Sequence, residues 1–341
     1  MKTGRFSGTL IVLAGFALLV FVMLLCICLG SVQVPLRETI RILRDGIQGG
    51  GEASAHRSII LSVRVPRVFC VALTGASLAL CGAAMQGLLL NPLADGSTLG
   101  VSSGASLGAV TALAFGITIP GLPEAGTMGM AMLFAFGSLL LILSLTYALD
   151  RMVSTNTIIL IGVIFSMFAS ALMSLEITFA GEKIRSITFW TMGSLSGSQY
   201  RHAAILLCAL LICGGALLSL SRELNAFSMG EEQASNLGVP VKRVKLTVLI
   251  LVSVLIGVCV SIGGSIGFVG LVTPHMARMV VGPNHRRLLP VSLLSGAIAL
   301  LLADLIARTI LSPAELPIGV VTSLAGTVLF LLIFARVRKA R

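Results

Sequence analysis

The chain has 341 residues, 56% hydrophobic and only 11% charged, with a formal net charge of +11 and a mean hydropathy of +1.05. A soluble chain would carry about 25% charged residues, so this composition describes an integral membrane protein and excludes a soluble globular domain. The positive charge does not point to nucleic acid, because Lys and Arg favour the loops of membrane proteins and no basic low-complexity tail accompanies the two Tyr and one Trp.

Ten apolar runs read as spans, most of them near the roughly 20 residues that cross the hydrocarbon as a helix, the eighth being short. They cover 9–30, 68–90, 98–116, 127–147, 156–179, 203–221, 246–264, 267–281, 290–307 and 318–335. The first follows Lys2 and Arg5 and is too long for a signal-peptide core, so it reads as a retained span with a cytoplasmic N-terminus. An even count then puts both termini inside. The basic residues divide 14 to 10 in favour of that side, as cytoplasmic loops require. The fold class is an all-α polytopic membrane protein, one transmembrane domain over 1–341. Spans 1–5 and 6–10 form two halves, inverted relative to each other by the odd count of five.

Between the first two spans, 31–58 forms an outer loop. Leu36, Ile40 and Leu43 recur at helical spacing and predict a short amphipathic helix on the membrane surface. Gly49–Gly51 then makes a flexible joint. Arg64 and Arg67 precede span two, and Arg308 ends span nine one turn after Asp304, on the same helix face, where the two can pair. These arginines either flank the membrane in water or form an outer basic ring for a docking protein's acidic residues.

Gln86 in span two needs a partner or water. Asn91–Ala105 is a turn followed by small residues for close helix packing, including Ser102, Ser103 and Gly104. Glu176, near the outer end of span five, either lines a path or faces water. The loop 222–245 contains Ser228-Met229-Gly230-Glu231, the pattern of a capping box in which Ser228 caps and Glu231 reaches back. Gly238 and Pro240 supply the stop. The predicted helix of about nine residues is a plain connector or an element held by a cytoplasmic partner.

The block Gly264–Arg278 places three glycines, Pro274, His275 and Arg278 between apolar runs. Lipid tolerates broken backbone and charge only where protein or a water-filled cavity surrounds them, so the block marks a transport path. Gln86, Asn91, Ser102, Ser103, Gly104, Glu176, Gly267 and Pro274 are the candidate path residues. The seven cysteines all fall in apolar runs without a Cys-x-x-Cys pair and read as small apolar side chains. There is no Gly-x-x-x-x-Gly-Lys-Ser/Thr motif and no nucleophile–base constellation, so neither catalysis nor a resident cofactor is expected of this chain.

Several segments, in this order and spacing, resemble the permease subunits of ABC importers for iron-siderophores, haem and vitamin B12. They are Arg64–Arg67, Gly75–Gln86, Asn91–Ala94, Leu99–Ala105, Gly264–Arg278, His285-Arg286, Ala303-Asp304 with Arg308, and Glu315–Val320. The resemblance implies ten spans and a path on the two-fold axis of a dimer, homomeric or with a paralogous permease. It implies two ATPase subunits carrying ATP and Mg, docked through a coupling helix at Ser228, Gly230, Glu231, Glu232, Ala234, Leu237 and Gly238. It also implies an extracytoplasmic solute-binding protein whose acids meet Arg64, Arg67 and Arg308, and residence in the bacterial cytoplasmic (inner) membrane. The cargo implied is a metal chelate, with a ferric siderophore the commonest in the family and vitamin B12 and haem as alternatives. An ion-coupled secondary transporter would instead need membrane-embedded acids, for which only Asp304 and Glu176 are placed.

Overall fold

The computed structural model describes residues 8–47, 54–121, 123–150 and 154–339. Every regular element among them is a helix. In chain order these are α1 Gly8–Cys28, α2 Leu36–Ile47, α3 Ala55–Leu88, α4 Val101–Phe115, α5 Pro123–Leu149, α6 Thr155–Phe179 and α7 Ile184–Thr191. There follow α8 Tyr200–Ser219, α9 Ser221–Phe227, α10 Glu231–Asn236, α11 Val241–Gly263, α12 Val269–Val281, α13 His285–Thr309 and α14 Ile318–Lys339.

Each of the ten expected spans corresponds to one helix. Seven are long and apolar enough to cross a membrane, and α4, α12 and the stretch Ile318–Leu332 of α14 are shorter. The short α4 is bounded by glycine backbone, with Gly100 at φ 75° before it and Gly116 at φ 70° after it. The joint at Gly49–Gly51 lies outside the described residues.

The helix α3 departs most from expectation. Span two was expected to begin near residue 68, yet α3 runs for 34 residues from Ala55. At 1.5 Å per residue that is about 51 Å, well beyond the hydrocarbon. The sequence is misleading here because Arg64, Pro66 and Arg67 look like a helix boundary. A π-helical turn over Ile59–Arg64 widens the backbone where the ring of Pro66 would otherwise meet the preceding turn. Other elements bond both guanidinium groups, Arg64 through backbone carbonyls and Arg67 through carboxylates, as described below.

The core lies along α3, against α11, α12 and α13. Small residues let the backbones touch, as membrane helices require. A Cβ on Gly75 would lie 2.4 Å from the Gly296 carbonyl oxygen of α13, and one on Gly82 would lie 1.8 Å from the Gly270 carbonyl oxygen of α12. Pro274 contributes to the second crossing. It has no N–H to bond Gly270 four residues earlier, so that carbonyl is free to lie against Gly82. Gly82→Val should therefore separate α3 from α12. The expected result is loss of the monodisperse peak when the variant is extracted in mild detergent and run by size exclusion; a wild-type profile would contradict the crossing.

The expected amphipathic helix is present as α2, but its apolar residues do not share one role. Thr39 and Ile42 face the bundle at 0% and 5% exposure, whereas Leu36 and Ile40 are 60% and 57% exposed.

Candidate functional site

The two ends of the bundle differ in chemistry. At one end the short helices α9 and α10 connect α8 to α11. Gly230 precedes α10 at φ 104° and Gly238 follows it at φ 82°. Both values are reached readily only by glycine. Between them Ala234 is buried and anchors α10, while Glu232 and Gly238 are exposed. Met229 and Leu237 are 63% and 64% exposed. The helix has six residues, shorter than the nine expected.

The expected capping box does not form. The Ser228 hydroxyl donates to the Leu224 carbonyl at 3.2 Å, closing the end of α9, and no side chain caps α10. Glu231 instead turns into the bundle. Its Oε2 lies 2.6 Å from Nζ of Lys245, a fully buried residue of α11. Its Oε1 accepts from the Thr155 hydroxyl at the start of α6, at 3.0 Å. A charge-assisted bond is roughly twice as strong as a neutral one, and buried Lys245 needs an anion, so this geometry displaces the local cap. One carboxylate thus ties α10 to α6 and α11. Lys245 and Thr155 were missed by sequence reasoning. The available signal was a lysine five residues into an apolar helix, which demands a partner.

The same end is fastened to α13 through Asn225. Its Oδ1 accepts from the backbone N–H of His285 at 2.8 Å and lies 3.0 Å from His285 Nδ1. Its Nδ2 donates to Asn284 at 3.1 Å.

The second feature is the break between α11 and α12. Gly264 has φ 68° and Phe268 φ 67°. The break is wedged on two sides. Ser194 N–H donates to the Gly263 carbonyl at 2.9 Å, and a Cβ on Gly264 would lie 2.2 Å from the Trp190 carbonyl oxygen. On the other side, Phe268 occupies the space a side chain at Gly326 of α14 would need. Between these supports Ser265 is exposed, and nothing lies within 4 Å of a Cβ built on Gly267. Of the candidate path residues in this block, Gly267 therefore borders open space, whereas Pro274 is buried inside α12.

The other candidate path residues are not brought together. Gln86 is 4% exposed and ties α3 to α12, donating to the Leu271 carbonyl at 3.1 Å and accepting from Arg278 at 3.3 Å. Gly104 packs against Ser138 of α5. Asn91 closes its own turn by accepting from the Leu93 N–H at 2.9 Å. Ser102 and Ser103 are half-buried on α4. Glu176 turns toward α4, accepting from the Thr111 hydroxyl at 2.8 Å, and its other oxygen is buried without a hydrogen bond.

At the opposite end, the three arginines read as a docking ring are buried. Arg64, Arg67 and Arg308 are 4%, 5% and 2% exposed. Arg64 donates to the carbonyls of Ile27 at 2.9 Å and Cys28 at 3.0 Å, and to that of Val32. Arg308 donates to the Cys26 carbonyl at 2.7 Å. Those carbonyls belong to the last turn of α1 and the residues after it, where intrahelical partners run out and cations are favoured. Arg67 bonds Asp304 at 3.0 and 2.9 Å and Glu315 at 2.8 Å, and Arg308 lies 3.2 Å from Asp304. Apart from Asp304, one turn before Arg308, the acceptors lie 32 to 282 residues away in sequence, so spacing alone could not distinguish an outward ring from this inward network.

Comparison with known proteins agrees with this architecture. The model of the FecCD transport family matches residues 18–336. A molybdate import system permease of Haemophilus influenzae is 40% identical, over 81% of this chain and 80% of its own length. A cobalamin import system permease of Halobacterium salinarum is also 40% identical, over 82% of this chain and 74% of its own. A solved inward-facing structure of a metal-chelate type ABC transporter superimposes with a TM-score of 0.84 at 35% identity, covering 96% of this chain and 99% of the other.

Proposed function

The chain belongs to the FecCD transport family, and from that premise we propose that it is the membrane-spanning permease subunit of an ABC importer, driven by ATPase subunits docked on the end that carries α10. The observation that carries this reading is α10 itself. It stands outside the spans, presents Met229 and Leu237 to its surroundings, and is bonded through Glu231 to two spanning helices. A helix of six residues is unstable alone in water, so its two glycine ends, buried Ala234 and the ion pair of Glu231 with buried Lys245 serve to present a surface. ATP and Mg belong to the partner chains. The α10 end is then cytoplasmic, the α2 end faces a solute-binding protein, and the path runs along the axis of a dimer past the break at Ser265–Gly267.

Burying one large apolar side chain contributes about 1.5–3 kcal/mol. Leu237→Asp should therefore weaken ATPase capture by about tenfold to a hundredfold. A pull-down of the tagged chain from its native membranes, with the P-loop ATPase identified by mass spectrometry, provides the assay. Recovery of the chain alone from several mild detergents would reject the importer reading. The ion-coupled alternative is disfavoured by the two acids it would use, since Asp304 is committed to arginine and Glu176 is bonded to Thr111.

The cargo we favour is a metal chelate, a ferric siderophore first, as the commonest cargo in the family and in keeping with the metal-chelate neighbour. Vitamin B12 and haem are the alternatives. The two relatives of equal identity carry molybdate and cobalamin in their names, so identity alone does not choose. A ligand panel of ferric siderophores, haem and cobalamin on the co-purified binding protein decides it.

A further inference from the structure

We propose that the exposed edge of α2 is a binding site for anionic phospholipid headgroups, holding this end of the permease at a fixed depth in the membrane. Successive helical residues turn by about 100°, which sorts α2 into four edges. Thr39 and Ile42 are buried against the bundle. About a quarter turn from them, Leu36 and Ile40 form an apolar edge, 60% and 57% exposed. A further 60–80° or so round lie Arg37 and Arg44, with Arg41 beyond them; all three are exposed. The acids Glu38 and Asp45 occupy the side roughly opposite the apolar edge, where Glu38 pairs with His56 at 2.9 Å.

This order is what an interface demands. The apolar pair dips below the headgroups, the flanking arginines sit at phosphate level with their stems along the lipid, and the acids face away. The described residues give none of the three arginines an ion-pair partner. A protein docking on the basic edge would explain the arginines but would leave Leu36 and Ile40 in water. A bilayer accounts for both, and ten spanning helices place one beside this helix. Arginine offers phosphate a planar pair of donors, which favours phosphatidylglycerol over a zwitterionic headgroup.

The test uses the full chain purified in mild detergent, titrated with phosphatidylglycerol or phosphatidylcholine and read by native mass spectrometry of retained lipid. An arginine near an anionic surface contributes a factor of about five in affinity. R37Q and R44Q should each lower phosphatidylglycerol affinity about fivefold, R41Q by less, and the triple variant by on the order of a hundredfold. Phosphatidylcholine retention should stay unchanged. D45N, on the far edge, should bind like the wild type. Should the triple variant not fold, a spin label at I40C reports depth directly, with oxygen accessibility above that of a water-soluble nickel reagent. Equal phosphatidylglycerol affinity in wild type and variants, or a label at position 40 that is accessible only to the water-soluble reagent, overturns the proposal. Loss of binding-protein docking in the triple variant with lipid affinity intact would also overturn it and assign the edge to a protein.

Discussion

Asp304→Ala is expected to cost about 3–5 kcal/mol, the range for removing one partner from a buried ion pair, and to leave little folded protein in the membrane. Asp304 is fully buried and stands between Arg67, bonded at 2.9 Å, and Arg308 at 3.2 Å. Its removal leaves Arg67 with only the partly exposed Glu315 and Arg308 with the Cys26 carbonyl. Two buried guanidinium groups would then be undercompensated in a region where desolvation is costly. The damage should spread, because this cluster joins α3, α13, the 310–317 connection and the end of α1. Asp304→Asn keeps the shape and an acceptor and should be milder. Thermal unfolding of the detergent-purified chain separates the cases. A melting curve for Asp304→Ala that overlays the wild type would show that the network contributes orientation and no net stability. Glu315→Gln, at the 30% exposed rim, should cost about 1 kcal/mol or less, as partly exposed pairs do.

Much of this architecture was legible in the sequence because membrane spans are specified locally. An unbroken apolar run must be a helix, since no other backbone satisfies its own hydrogen bonds in lipid, and all ten runs correspond to helices. The break at Gly264–Phe268 was legible for the same reason, its glycines standing where a continuous helix would have none. What failed was pairing. Arg64, Arg67 and Arg308 looked like water-facing charges because most of their acceptors, the carbonyls at and after the end of α1 and the carboxylates met by Arg67, are remote in sequence; only Asp304, one turn before Arg308, was legible as a partner. Glu231 fitted a capping box by spacing, yet tertiary contact gave it Lys245 and Thr155 instead. Gln86 looked like a path residue because a polar group in a span requires a partner. It has one in Leu271 and Arg278, within the subunit. Polar residues in spans announce that a partner exists; their sequence positions do not reveal which.

Glu231→Gln is expected to separate ATP hydrolysis from transport in the assembled importer. The amide keeps an acceptor for Thr155 and a dipole for Lys245 but loses the charge. A hydrogen bond to a charged group contributes about 1.5–3 kcal/mol, and the 38% exposure of the Glu231 side chain places the loss at the lower end. That is too small to unfold a ten-span bundle, and large enough to loosen α10 from α6 and α11 while Met229, Leu237 and Ala234 keep their places. The ATPase should therefore still bind, and its hydrolysis should persist, while uptake per ATP falls by about tenfold. Lys245→Met should behave similarly, and the double variant should be no worse than either single, because two residues acting as one link are not additive. The exchanged pair E231K/K245E offers a check on geometry: partial recovery of uptake would show that charge pairing is what transmits the movement. Uptake and hydrolysis falling together in Glu231→Gln, with ATPase recovery in the pull-down lowered to match, would show that Glu231 shapes the docking surface and transmits nothing through the α6 and α11 contacts.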